Sequence, residues 1–169
     1  MKTLPRWWRE HFLVAEIGLA ILVALGFMLW VENFHGSVVV EVMLRQNRGA
    51  IYGTMATIFG SLLGFVITTV SVILSFSASD RLAIVRESKH YTMLWKVFVS
   101  AIKVLGLTTL AALVGLLLDR DTTPNRLVFH AFVFLALLAA LRLARCVWVL
   151  ENVIAIVAAP PKGKSGGQA

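Results

Sequence analysis

Four long apolar stretches alternate with short polar segments along the chain. The hydropathy pattern places them at about residues 12–31, 51–77, 97–118 and 127–149. Roughly 20 apolar residues cross the hydrocarbon core of a bilayer as an α-helix, so each stretch is long enough to span a membrane. The pattern therefore predicts an all-α integral membrane protein with four transmembrane helices in a small bundle.

The segments between these stretches carry turn and surface-helix patterns. Residues 36–48 place apolar side chains at helical spacing, with Glu41 and Arg45 four residues apart, which predicts an amphipathic helix on the membrane surface. Residues 79–91 predict a second short amphipathic helix. The Pro-Asn pair at 124–125 predicts a tight turn, so the third and fourth stretches should form an antiparallel hairpin.

Residues 1–159 are expected to form one transmembrane domain, followed by a disordered tail. Residues 160–169 combine proline, glycine, lysine and serine, a composition typical of disorder. The basic N-terminus runs into the first apolar stretch, as in a signal peptide, but no small-x-small cleavage site follows. The first stretch is therefore interpreted as a retained signal-anchor helix.

Composition excludes an ordinary soluble domain. Hydrophobic residues make up 59% of the 169 residues, and the mean hydropathy is +0.83, whereas soluble domains are roughly half apolar. A net charge of +7 would suggest nucleic acid as a partner of a soluble protein. Here most basic residues flank apolar stretches, so membrane topology explains the charge and no nucleic-acid partner is expected.

The lysines and arginines are distributed unequally between the two sides of the predicted membrane. Of the sixteen, ten lie on the side that holds both termini and four lie on the other. Because positive charges are retained in the cytoplasm, both termini are predicted to be cytoplasmic, in a bacterial inner membrane or its equivalent. The ten are Lys2, Arg6, Arg9, Arg81, Arg86, Lys89, Arg142, Arg145, Lys162 and Lys164, and the four are Arg45, Arg48, Arg120 and Arg126.

Small residues recur every three or four positions along the second stretch, which places them on one face of a helix. This helix contains no charge, because the 31 residues between Arg48 and Asp80 are all uncharged. The Gly-x-x-x-Gly spacing at 60–64 favours close helix–helix packing. The small-residue face comprises Gly53, Thr57, Gly60, Ser61, Gly64, Thr68, Ser71 and Ser75.

The same face has the chemistry of a pore wall, because uncharged hydroxyls solvate an ion without trapping it. Four spans are too few to surround a pore alone, so this interpretation requires a homo-oligomer lined by the second span. Arg45 and Arg48 would then lie at the outer mouth and Arg81 at the inner mouth. A pore wall without acidic residues should prefer anions.

Three charges interrupt the other spans at one depth: Glu16, Lys103 and Arg142. Each is separated from the outer end of its span by 15 uncharged residues, about 22 Å of helix. Three interpretations are open. The long basic side chains could snorkel to the headgroups, Glu16 could pair with Lys103 or Arg142 inside the bundle, or the layer could bind a transported ion.

No catalytic, metal or cofactor motif is present. The four histidines lack metal-ligand spacing, and the single cysteine excludes an intramolecular disulfide or a cysteine-based zinc site. We therefore expect neither an enzyme nor a cofactor. The predicted function is an ion-conducting pore subunit, with a non-conducting scaffold or accessory subunit as the alternative. Expected partners are membrane lipid, further copies of the chain, and another membrane or cytoplasmic protein.

Overall fold

A computed structural model describes residues 6–34, 36–76, 89–119 and 124–158 of the chain. These residues form five α-helices. The helices are α1 (Arg6–Asn33), α2 (Gly36–Leu44), α3 (Arg48–Phe76), α4 (Lys89–Leu118) and α5 (Arg126–Ala158). The predicted disordered tail, 160–169, and most of the predicted helix at 79–91 lie outside the described residues.

The all-helical class and the four long apolar helices are confirmed. The segments long and apolar enough to cross a membrane are Leu13–Asn33, Arg48–Ser75, Leu94–Leu118 and Arg126–Glu151. Helices α1 and α5 extend beyond the predicted stretches at both ends, α4 extends at its start only, and α3 begins three residues earlier than predicted and ends at Phe76. These segments belong to α1, α3, α4 and α5, and α2 is too short to cross.

The predicted surface helix at 36–48 is shorter than expected. It ends at Leu44, and Gln46 follows in the left-handed region with φ of 63°. A residue in this conformation ends a right-handed helix. The backbone N–H of Asn47 donates to the Leu44 carbonyl oxygen at 3.0 Å, closing a turn that redirects the chain into α3. Arg48 therefore belongs to α3.

The long helices pack side by side in the order α3–α4–α5–α1. Helix α4 contacts both α3 and α5, and α1 packs against α5. The short α2 contacts α1. Helices α3 and α1 consequently lie at the two edges of the row, and each leaves a broad face outside the single chain.

Small side chains bring the central helices close together. Ala101 and Ala112 of α4 and Ala139 of α5 are completely buried, which lets the backbones approach and gain dispersion contacts. The hydroxyl oxygen of Thr108 lies 2.8 Å from the Val104 carbonyl oxygen and 3.1 Å from the Leu135 carbonyl oxygen. A polar contact thus joins α4 to α5 within an apolar core.

Helix α1 attaches to the row through few side chains. Among its described side chains only Glu16, Ala20 and Val31 are buried, while residues such as Leu22 and Leu25 are exposed. In a bilayer, such leucines contact lipid as favourably as they would contact another apolar helix. The position of α1 therefore depends strongly on the polar contacts of Glu16.

Candidate functional site

The small-residue face of α3 lies on the outside of the single chain. Tyr52, Phe59 and Val66 recur every seven residues on the opposite side, where they are buried. Gly53 and Gly60 are half-buried, and Gly60 lies nearest to α4, since a Cβ added there would be 3.8 Å from Cγ2 of Thr109. The remaining members of the face, Thr57, Ser61, Gly64, Thr68, Ser71 and Ser75, are exposed.

Hydroxyl groups on this face donate to carbonyl oxygens of their own helix, four residues earlier. Such bonds satisfy the hydroxyl proton inside the helix, so the face can lie against lipid or protein without an unsatisfied donor. Each hydroxyl oxygen keeps acceptor capacity for an outside group. The donors are Thr57 at 3.0 Å and Thr68, Ser71 and Ser75 at 2.9 Å, and their acceptors are Gly53, Gly64, Ile67 and Ser71.

Larger apolar side chains flank the small-residue face. Gly64 lies in open space, with no atom within 4 Å of an added Cβ. The spacing of the flanking residues on the helix places them on both sides of the face, so that together they form a shallow groove about 33 Å long. Its exposed flanks are Ile58, Phe65 and Val72 on one side and Ile67 and Leu74 on the other.

A buried ionic cluster joins the first turn of α3 to the end of α4. Nη1 of Arg48 donates to both carboxylate oxygens of Asp119, at 2.8 and 2.9 Å. The Tyr52 hydroxyl donates to the same carboxylate at 2.8 Å. The Asp119 side chain is fully inaccessible, so the Arg48 guanidinium compensates a charge that water does not reach.

The Asp119 carboxylate also contacts the residue that precedes α5. The backbone N–H of Asn125 donates to it at 2.7 Å, and the Asn125 side-chain oxygen accepts from the N–H of Val128 at 3.3 Å, capping α5. One carboxylate therefore joins three helices at this end of the row. The sequence analysis missed this cluster, although opposite charges at facing ends of two spans were a signal for it.

Gly115 leaves the space that the Tyr52 ring occupies in this cluster. A Cβ added at Gly115 would lie 2.6 Å from Cδ1 of Tyr52, so Gly115→Ala should displace the ring from Asp119. We expect a loss of about 1–3 kcal/mol in the free energy of unfolding.

The control is Gly106→Ala on the same helix, where the added Cβ meets only Leu63 at 4.0 Å. That variant should be neutral or up to about 1 kcal/mol more stable, because alanine favours helix. Equal stability of the two variants in a denaturant titration would contradict this prediction.

The predicted mouth charges do not form one group. Arg48, predicted to lie at the outer mouth of a pore, is buried and paired with Asp119. Its guanidinium reaches a carboxylate on the neighbouring helix, which neutralises it. Arg45 is exposed in the turn after α2. Arg81 lies outside the described residues.

A second ionic cluster joins α1 to α5 at the opposite end of the row. Nη1 of Arg142 lies 2.7 Å from Oε2 of Glu16, and Nη2 donates to the Leu13 carbonyl oxygen at 3.0 Å. Nε of Arg145 donates to the other Glu16 oxygen. Arg142 and Glu16 are buried, at 3% and 8% exposure. Two guanidinium groups thus share one carboxylate inside the apolar part of the molecule.

The structure brings together two of the three charges predicted to lie at one depth. Glu16 pairs with Arg142, whereas Lys103 is exposed on α4 and takes no part in the cluster. The sequence analysis assigned Arg145 only to topology. Its position three residues after Arg142, on the same side of a helix, was the available signal.

The fold and these two clusters describe a helical chain with the features of a multi-pass membrane protein. Within the described residues, no group of three His, Cys, Asp or Glu side chains is arranged to hold a metal ion. Comparison with protein-family models, curated proteins and solved structures finds no match for this chain.

Proposed function

We propose that the chain is the subunit of a homo-oligomeric, ion-conducting membrane pore in which α3 faces the shared axis. The observation that carries this proposal is the exposed face of glycines and hydroxyls along α3. Its counterpart on the other edge, α1, exposes Leu22, Leu25 and Leu29, side chains that suit lipid. The leucine-rich edge formed by α1 suits lipid. The glycines and hydroxyls of the α3 edge suit contact with protein or water instead.

The chemistry of this face supports conduction of a weakly bound ion. Helix α3 contains no charged residue after Arg48, and the acceptor oxygens of its hydroxyls occur along most of its length. Since Asp119 neutralises Arg48, the basic residues that the sequence offers the mouths of the proposed pore are Arg45 and Arg81, and Asp80 stands beside Arg81 in the sequence. The wall without acidic residues is the feature that favours anions.

The proposed setting follows from the charge distribution. More lysines and arginines flank the ends that hold the termini, so we place both termini in the cytoplasm. The short loops suit a bacterial inner membrane, which we propose as the setting. Lipid and further copies of the chain are the proposed partners, and a cytoplasmic or membrane protein could occupy the remaining surface.

A non-conducting scaffold or accessory subunit is the second candidate. One observation favours it: the described hydroxyls of Thr57, Thr68, Ser71 and Ser75 already donate within α3. A face whose donors are satisfied internally is suited to a dry seam between helices, where glycines allow close approach. In that case the groove along the small-residue face of α3 binds α3 of another copy or a helix of a partner protein.

Cysteine scanning along α3 separates these candidates. In a Cys146→Ala background, single cysteines replace positions of the face (Thr57, Ser61, Gly64, Thr68) and of its flank (Ile58, Phe65) in the membrane-embedded protein. A pore predicts that charged, water-soluble thiol reagents label the face but not the flank, and that labelling alters the conductance in planar bilayers. Gly18→Cys is the matched control, because Gly18 on α1 is also exposed and in open space.

The remaining outcomes identify the alternatives. A dry seam between copies predicts no labelling of the face, but oxidative cross-linking between chains at Gly64→Cys and not at Gly18→Cys. Protection without cross-linking, in a particle with the mass of one chain, would rule out both the pore and the homo-oligomer.

A further inference from the structure

A groove between α1 and α4 lies at the same end of the row as the Glu16 cluster. Its volume is about 410 Å³, and it opens to the outside of the chain. Most of its surface is apolar, with a few polar groups along α4. It is lined by Leu13, Trp95, Lys96, Val99, Ser100 and Lys103.

The polar groups of the groove form one line along α4. Lys96, Ser100 and Lys103 are spaced by four and three residues, so they share a helix face. Both lysines are exposed, and no described carboxylate lies within 4 Å of either ammonium group. Within the described residues, two positive charges without a counter-ion therefore flank the Ser100 hydroxyl, beside the apolar side chains of Leu13 and Val99.

The depth of these residues matches the headgroup boundary. The 15 residues from 104 to 118 cover about 22 Å of the ~30 Å hydrocarbon core, which leaves Lys103 about 8 Å inside the boundary. Lys96 lies seven residues, about 10 Å, further along α4 and thus at the level of the headgroups. The flexible side chain of Lys103 can extend toward the headgroups and place its ammonium group at the same level as Lys96.

The Glu16 cluster adjoins the groove, because the Leu13 carbonyl oxygen accepts from Arg142. An anion in the groove would be attracted by the two lysines.

We propose that this groove binds one anionic phospholipid. Its phosphate lies between the ammonium groups of Lys96 and Lys103 and accepts from the Ser100 hydroxyl, and an acyl chain lies along Leu13 and Val99. Basic pockets between membrane helices characteristically select anionic headgroups. The apolar side chains of Leu13 and Val99 select a lipid over free phosphate. This inference does not depend on the chain forming a pore.

Fluorescence quenching of Trp95 tests the proposal. In a variant with Trp7, Trp8, Trp30 and Trp148 replaced by phenylalanine, Trp95 reports on the lipid in the groove. The protein is reconstituted in bilayers of phosphatidylcholine and phosphatidylglycerol, with bromine on the chains of one lipid or the other. We expect brominated phosphatidylglycerol to quench more strongly at equal mole fraction, and the preference to fall about fivefold for each lysine removed in Lys96→Gln and Lys103→Gln.

The matched control is Arg45→Gln with Arg126→Gln, which removes two exposed basic residues at the other end of the row and should leave the preference unchanged. Retention of phosphatidylglycerol by the wild-type chain in native mass spectrometry, and its loss in the double lysine variant, gives the same test without tryptophan replacements. Equal quenching by both lipids, an unchanged preference without the lysines, or displacement by excess inorganic phosphate would overturn the proposal.

Discussion

Asp119→Ala is expected to lower the free energy of unfolding by about 3–5 kcal/mol, because it leaves the buried guanidinium of Arg48 without a counter-charge. The change also removes the acceptor of the Tyr52 hydroxyl and of the Asn125 backbone N–H. Three helices meet at this carboxylate, so the loss should loosen α3 and the α4–α5 turn together. The measurement is reversible unfolding in mixed micelles, followed by far-UV circular dichroism.

A control and a double variant separate the ion pair from general effects of charge. Glu41→Ala removes an exposed carboxylate on α2 and should change stability by less than about 0.5 kcal/mol. Arg48→Met combined with Asp119→Leu should recover much of the loss, because apolar side chains of similar size replace both charges. If Asp119→Ala were as stable as Glu41→Ala, the cluster would have no structural role.

Glu16→Gln is expected to cost about 3 kcal/mol or more, since the guanidinium of Arg142, whose side chain is 3% exposed, then loses its carboxylate partner. Among the described side chains of α1 few others are buried, so the variant should release α1 from α5 rather than unfold the whole row. Cys146, whose thiol lies near Glu16 and Arg142, can report on loosening of the packing around this cluster. It is 4% exposed and lies one turn along α5 from Arg142.

The measurement is the rate at which a maleimide labels Cys146 in detergent micelles. We expect faster labelling in Glu16→Gln than in the wild type. Glu32→Gln, which changes an exposed carboxylate on the same helix, should label at the wild-type rate. If Glu16→Gln labelled at the wild-type rate and kept the wild-type stability, the contacts of Glu16 with Arg142 and Arg145 would not be what holds α1 against α5.

Hydropathy made the helices predictable, because it is a local property. A charge-free stretch such as 49–79 can meet its backbone hydrogen bonds in lipid only as a helix, whatever its neighbours are. Helical spacing likewise predicted that the small residues of α3 share one face. The end of α2 was less predictable, because the left-handed Gln46 depends on how the chain enters α3.

The arrangement of the helices could not be predicted from the sequence and is known only from the tertiary structure. Hydropathy treats all four spans alike, so it does not say that α3 lies at an edge, beside α4 and with its small-residue face outside. The pairing of Arg48 with Asp119 joins residues 71 positions apart, and that of Glu16 with Arg145 joins residues 129 apart. The sequence predicts similar membrane depths for Lys103 and Arg142. Of these two, only Arg142 projects between α1 and α5.

The sequence alone determined that this chain forms long apolar helices, because lipid solubility and helical hydrogen bonding depend on neighbouring residues. Only the tertiary structure decided which charges are compensated and which faces remain open. The energy of a buried charge depends on the few ångströms to its partner, and that distance is set by how helices pack, not by their order along the chain.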